Sequence, residues 1–161
     1  MPKIYSDGDS IEVFAKPLIG PYHPELATAR ILYVFVSEHS KENGIPKWGS
    51  AKKLSGPLEY LLESDFLIEV PLDLWNDAPE AERVARVDHL LECCTGEEDE
   101  KTGGLKWVIR KPDVKEFTSI FRRHGLYHDG LRTFASVAKA INIDEMIEEV
   151  GIEELSTTEV T

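Results

Sequence analysis

One segment of the chain carries a histidine, a glutamate and a cysteine at a spacing that could hold a metal ion. Glu92 and Cys93 follow His89 by three and four residues, so on a helix their side chains fall on one flank. A helix that binds zinc commonly offers two ligands four residues apart. The spacing makes His89 and Cys93 candidate metal ligands with zinc as their ion, and it leaves open that both are ordinary helix residues that bind no metal.

The elements that must position this flank are a helix and a buried sheet. A helix from Ala78 to Cys94 is predicted, because Asp77 followed three residues later by Glu80 is typical of a capping box. An uninterrupted β-branched and aromatic run at residues 31–36 predicts a strand that is buried on both faces, and residues 66–70 predict a second strand. The helix would pack its apolar stripe against such strands.

The remaining segments complete an α+β fold with a small, mostly antiparallel sheet packed against helices. Residues 47–54 predict an exposed strand whose lysines suit a sheet edge. Residues 97–104 predict a charged, glycine-bearing loop, and residues 105–110 predict a further strand. Asp113 can cap a helix that Gly125 ends.

A chain of 161 residues is long enough for one ordinary hydrophobic core. An amphipathic helix at residues 10–19, which Pro17 would kink or shorten, opens the domain. The sequence predicts these boundaries: an N-terminal tail at 1–9, the domain at 10–130, an acidic helical C-terminal extension at 131–155 and a frayed tail at 156–161.

The overall charge limits the classes of partner. The formal net charge is −12, which argues against direct nucleic-acid binding because a protein that neutralises phosphates needs a basic face. Cys93 and Cys94 are adjacent and make no ordinary structural disulfide. With no apolar run near the ~20 residues that span a bilayer and no secretory leader, we expect a cytoplasmic protein without a membrane partner.

Several segments, in the same order along the chain, resemble the phage metallopeptidase family. The run Arg83-Val84-Ala85-Arg86-Val87-Asp88-His89 resembles the stretch that precedes the family's metal motif, His-Glu-Leu-Cys-His-Cys. The other segments are His23-Pro24-Glu25-Leu26, Gly49-Ser50-Ala51-Lys52-Lys53, Asp65-Phe66-Leu67-Ile68-Glu69, Asp113-Val114-Lys115-Glu116-Phe117 and Arg122-Arg123-His124-Gly125. The resemblance covers about residues 10 to 125 and implies a zincin-like fold with a zinc-dependent peptidase ancestry.

The chain departs from the family at the positions that carry the chemistry. Matched residue by residue, His89 stands at the first ligand, Leu90 replaces the glutamate base, Cys93 replaces the second histidine, and Cys94 matches the family's cysteine. Leucine cannot take a proton from water, and losing a general base costs roughly 10²–10⁴-fold in rate. A thiolate is a good zinc ligand, so the resemblance implies that metal binding could outlast hydrolysis.

Two assignments remain open from the residues. Glu92 could serve as the catalytic base, since His-x-x-Glu-His is the inverted zincin order, although a Cys93 thiolate would add negative charge and weaken the acidity of the zinc. The resemblance places Glu116 near the motif helix and makes it the candidate third metal ligand. Pro112 stands where the family's histidine is expected, and His124 is a substitute only by its proximity in sequence.

Two hypotheses of function follow. The first is a phage-type metallopeptidase-like protein whose catalysis is impaired or lost, acting on a peptide substrate if any activity survives. The second is a non-catalytic acidic interaction protein that binds a host factor in the host cytoplasm, with nucleic-acid mimicry as one form that its −12 charge leaves open.

Overall fold

The computed structural model describes residues 2–111 and 116–150, with the backbone alone for the last ten. The chain forms two compact units, residues 1–124 and 125–161. In the first unit the elements are β1 (Tyr5–Asp7), α1 (Asp9–Tyr22), a 3-10 helix (Pro24–Thr28), β2 (Ile31–Val36), β3 (Lys41–Glu42), β4 (Ile45–Pro46), β5 (Ser50–Lys53), α2 (Gly56–Leu62), β6 (Phe66–Pro71), α3 (Leu72–Asp77), α4 (Glu80–Cys93), β7 (Cys94–Glu98), β8 (Leu105–Ile109) and α5 (Thr118–His124). The second unit contains α6 (Asp129–Val150). None of the helices in the described ranges is long and apolar enough to cross a membrane.

The principal sheet has four strands in the order β1-β2-β6-β5. The two apolar strands β2 and β6 lie at its centre and pair in parallel, with Ile31 opposite Phe66 and Val36 opposite Pro71. Strands β1 and β5 flank them in antiparallel pairing, and β3-β4 and β7-β8 form separate antiparallel hairpins. These pairings confirm the predicted α+β class and the mostly antiparallel sheet, and they put the lysine-bearing strand β5 at a sheet edge. The zincin-like topology stays a prediction.

The hydrophobic core lies between the sheet and helices α1 and α4. Ile11 of α1, Ile68 of β6 and Leu91 of α4 are fully buried. Trp75 packs edge-on against Phe14, with ring centroids 5.2 Å apart. This packing fixes α4 against the sheet and therefore fixes the direction in which its outer flank points.

Helix α1 is longer than predicted. It continues past Pro17 to Tyr22, although a proline inside a helix removes a hydrogen bond at a cost of about 3 kcal/mol. Ile11, Ala15 and Leu18 on its inner face are buried, and burying such side chains contributes about 1.5–3 kcal/mol for each large one. The free energy gained by core packing therefore outweighs the cost of the proline.

The predicted start of helix α4 was wrong. Asp77 ends α3, and α4 begins at Glu80 after Pro79, with no side-chain cap. Tyr5–Asp7, within the predicted N-terminal tail, forms β1. The extent of the domain and of its tails stays a prediction.

The prediction of a charged loop at residues 97–104 was wrong for residues 97 and 98. Cys94–Glu98 forms β7 directly after α4 and pairs with β8, with Gly96 opposite Trp107. A Cβ at Gly96 would lie 3.2 Å from the Trp107 ring, so glycine permits this close packing. The predicted helix cap at Asp113 and the end of the chain after residue 150 lie outside the described residues.

Candidate functional site

Helix α4 has two faces of different character. Leu90, at the position of the family's glutamate, is only 4% exposed and belongs to the hydrophobic core. Asp88 is fully buried on another side of the helix, and His89, Glu92 and Cys93 are partly buried. The residue that would supply a general base is therefore an aliphatic side chain packed away from water.

The structure brings two of the predicted metal ligands into direct contact. The Nδ1 atom of His89 meets the Oε1 atom of Glu116. Glu116 is 2% exposed, and the same oxygen accepts the backbone N–H of Phe117 at 2.9 Å. The His89 ring also packs on the Phe117 ring at 5.2 Å, so its orientation is fixed by the protein alone.

The third predicted ligand, Cys93, is held as a thiol. Burial, and then the negative charges of Glu116 and Glu92, raise its pKa to about 12, against the smaller opposing effect of Arg110. Zinc binds the thiolate rather than the thiol. A metal at this point would have to displace the Cys93 proton and separate His89 from Glu116.

Glu92, the candidate base, is bound by two arginines. Its Oε1 atom accepts from Arg110 Nη1 at 2.7 Å, and its Oε2 atom accepts from Arg123 Nη2 at 3.3 Å. The Nδ1 atom of His23 lies 3.4 Å from the same Oε2. A general base must have an oxygen within reach of the water proton that it abstracts, and here both oxygens of Glu92 are engaged by the protein. Its catalytic role stays a prediction.

Asp88 is the centre of a buried polar cluster. Its carboxylate lies 2.5 Å from His23 Nε2 and 2.7 Å from His124 Nε2. Arg123 donates to both of its oxygens, at 2.7 and 2.9 Å. Burial acts to raise the pKa of Asp88, but the hydrogen bonds from His23, Arg123 and His124 outweigh it and hold the pKa below the usual range. The cluster joins the end of α1, the middle of α4 and the end of α5.

Part of this cluster could hold a metal ion by donor type and spacing. In the part of the chain that the structure describes, one group of three has ligand atoms all within 4.8 Å of one another, and it comprises His23, Asp88 and Glu92. The guanidinium of Arg123 already bridges the two carboxylates. A divalent cation would have to compete with that positive charge, so the group as it stands fits an arginine better than a metal.

Sequence reasoning missed this cluster. It used His23 only for the family resemblance and considered His124 only as a substitute ligand, whereas both bind Asp88. A signal was present, because His23, Asp88, Arg123 and His124 all lie in segments that resemble the family. The predicted ligands His89, Cys93 and Glu116 are neighbours, but their assignment to a metal stays a prediction.

Comparison with known proteins agrees with the resemblance. The family model described as "Putative phage metallopeptidase" matches residues 4–142. The chain therefore belongs to the phage metallopeptidase family. No curated protein and no solved structure matches it.

Proposed function

We propose that this chain is a non-hydrolytic member of the phage metallopeptidase family, which keeps the family scaffold and has lost the catalytic base. The observation that carries the proposal is the burial of Leu90, which is 4% exposed in the core at the position of the family's glutamate. In the part of the chain that the structure describes, the candidate base Glu92 is bound by Arg110 and Arg123, which argues against its taking over the role.

The ion pairs support the same conclusion on energetic grounds. For Glu92 to act as a base, it would have to leave two guanidinium partners, and charge-assisted hydrogen bonds of this kind are each worth about 1.5–3 kcal/mol. That cost would be added to the barrier of the reaction. Together with the missing glutamate, it puts hydrolysis well below the rate expected of an intact motif.

We also propose that the chain holds no catalytic zinc ion. His89, Cys93 and Glu116 offer nitrogen, sulfur and oxygen donors of the kind that zinc accepts. However, Cys93 is a thiol whose pKa is raised to about 12, and Glu116 is engaged with His89. Zinc binding at these residues would be structural and would release the Cys93 proton.

The test combines elemental analysis with a peptidase assay on the purified protein. We expect no stoichiometric zinc after dialysis and no peptide cleavage above the rate without protein. Cleavage that a chelator or His89→Ala abolishes would overturn the proposal. If such cleavage also disappeared in Glu92→Gln, Glu92 would be identified as the base.

Restoring the motif gives a positive control. The variant Leu90→Glu, Cys93→His and Pro112→His reintroduces the base and the two ligands that the family resemblance implies. Its matched control carries Leu90→Gln with the same two histidines, so only the proton acceptor differs. Because position 90 is buried in the core and a buried charge is unfavourable, retained amide dispersion is the check that each variant folds. Among folded variants we expect both to bind zinc and only the glutamate variant to gain cleavage; cleavage by the glutamine variant would show that the missing base is not what limits the natural chain.

The acidic interaction protein remains a second proposal, favoured by the β7-β8 hairpin. Glu97, Glu98 and Glu100 are exposed at its end, next to Asp99. The partner we propose is a host protein with a basic surface. Replacing the three glutamates by glutamine should abolish its capture from host extract, whereas the same change at the exposed Glu25, Glu42 and Glu63 should leave capture unchanged. Equal capture by both triple variants would refute this role of the hairpin.

A further inference from the structure

A small cavity lies at one edge of the principal sheet, apart from the residues of the α4 site. Strands β2 and β6 are parallel and end at Val36 and Pro71, so their carboxyl ends meet at this edge, which is the edge where open sheets commonly bind ligands. Both residues line the cavity, whose volume is about 140 Å³. That is the space of about five waters, so it suits a single small group.

The cavity is lined by three lysines in a chain that is strongly acidic overall. Lys3, Lys47 and Lys52 line it together with two carboxylates, Glu38 and Glu69. Lys52 Nζ lies 3.6 Å from Glu69 Oε2. Within residues 2–111 and 116–150, Lys3 and Lys47 take part in no ion pair. Two ammonium groups are therefore available to a ligand.

A histidine in the wall is fixed by a neighbouring carboxylate. The Nδ1 atom of His39 lies 2.7 Å from Asp73 Oδ2, and the backbone N–H of His39 donates to Asp73 Oδ1 at 3.1 Å. Asp73 also accepts the backbone N–H of Leu74 at 2.8 Å. With Nδ1 engaged by a carboxylate, the ring keeps Nε2 as its second polar atom.

We propose that this cavity binds the phosphate group of a small molecule. A phosphate ester carries a charge of about −1.5 to −2 at pH 7, and the lining presents three lysines against two carboxylates, Glu38 and Glu69. Lysine binds phosphate as a point charge, without the fixed geometry of the arginine fork. Ser40 and Ser50 also line the cavity and offer hydroxyl donors. This site shares no residue with the α4 flank and is independent of the proposed loss of hydrolysis.

The test is a titration with inorganic phosphate followed by amide NMR, with chloride at the same ionic strength as the reference. We expect saturable shifts at Ser40, Lys47 and Ser50. Lys47→Met should weaken binding at least about tenfold, which corresponds to about 1.4 kcal/mol. Lys53→Met is the matched control, because Lys53 lies on β5 outside the cavity lining and removes the same charge; this variant should bind phosphate as the natural chain does.

Further ligands separate the sources of the phosphate. Saturation by glycerol phosphate at lower concentration than by inorganic phosphate would assign the site to a phosphate ester, and the reverse order would assign it to the free ion. Acetate binding as tightly as phosphate would overturn the proposal. So would shifts that do not saturate, or an equal loss in Lys47→Met and Lys53→Met, since each would indicate general attraction to positive charge. Retained amide dispersion in each variant checks that it is folded.

Discussion

Replacing Asp88 by asparagine tests whether the buried cluster holds the helices together. The change keeps the size of the side chain and removes the charge that faces His23, Arg123 and His124. Removing one partner of a buried ion pair costs about 3–5 kcal/mol, because the other charge is left uncompensated. Asparagine keeps an acceptor oxygen, and the Arg123 side chain is 17% exposed and partly hydrated. We therefore expect the lower end of the range, about 3 kcal/mol.

Urea unfolding followed by tryptophan fluorescence measures this loss in the first unit alone, because Trp48, Trp75 and Trp107 all lie within residues 1–124. With a denaturant slope of about 1–3 kcal/mol/M, the midpoint should fall by about 1–3 M. The control is Asp77→Asn, which removes the charge of an exposed carboxylate within the same unit and should leave the midpoint unchanged. A loss below about 1 kcal/mol for Asp88→Asn would refute the reasoning.

The pH dependence of the same variant gives an independent check. The pKa of Asp88 is lower in the folded protein than its value of about 3.9 in an unfolded chain. Its carboxylate therefore stabilises the fold fully above about pH 5, and this contribution is lost as the pH falls towards the folded-state value. The difference in unfolding free energy between the natural chain and Asp88→Asn should shrink between about pH 5 and pH 3.

Three further outcomes follow from the structure. The rate of alkylation of Cys93 should rise about tenfold per pH unit from about pH 7 to pH 10, because burial and nearby carboxylates raise its pKa to about 12. The alkylation rate of an ordinary thiol levels off near about pH 8.5. A rate that reaches a plateau below about pH 9 would contradict this prediction. Gly8→Ala should lower the unfolding free energy by about 3 kcal/mol or more, because the new Cβ would lie 2.4 Å from the backbone of β2. Gly20→Ala in α1 has open space around it and should raise the unfolding free energy by about 0.5–1 kcal/mol. The same urea assay measures both changes. Leu91→Ala, in the core, should cost about 2–5 kcal/mol, and Leu61→Ala, which is 71% exposed, should cost far less; equal losses would argue against the packing of α4.

Local patterns in the sequence determined the main elements. The runs at 31–36 and 66–70 predicted the strands β2 and β6. The predicted burial of the first run on both faces was wrong, because the first four residues of β2 are only half-buried. The lysines of β5 predicted a sheet edge, and the pairing confirms it. The spacing of His89, Glu92 and Cys93 predicted a common flank on a helix, and α4 contains all three.

Tertiary packing decided what local patterns could not. Prolines predicted a short or kinked α1, but the buried face of that helix carried it to Tyr22. The charged run after Cys94 suggested a loop, but pairing with β8 made its first part a strand. In both places a long-range contact outweighed the local propensity of the chain.

The same division applies to the site. The sequence by itself determined the spacing of His89, Leu90 and Cys93, and the family resemblance predicts from it that hydrolysis lacks its proton acceptor. Only the folded structure decided that Asp88 binds His23, 65 residues away, and Arg123, 35 residues away. A charge buried in a core is stable only beside its partners, and which partners reach it depends on how α1, α4 and α5 pack.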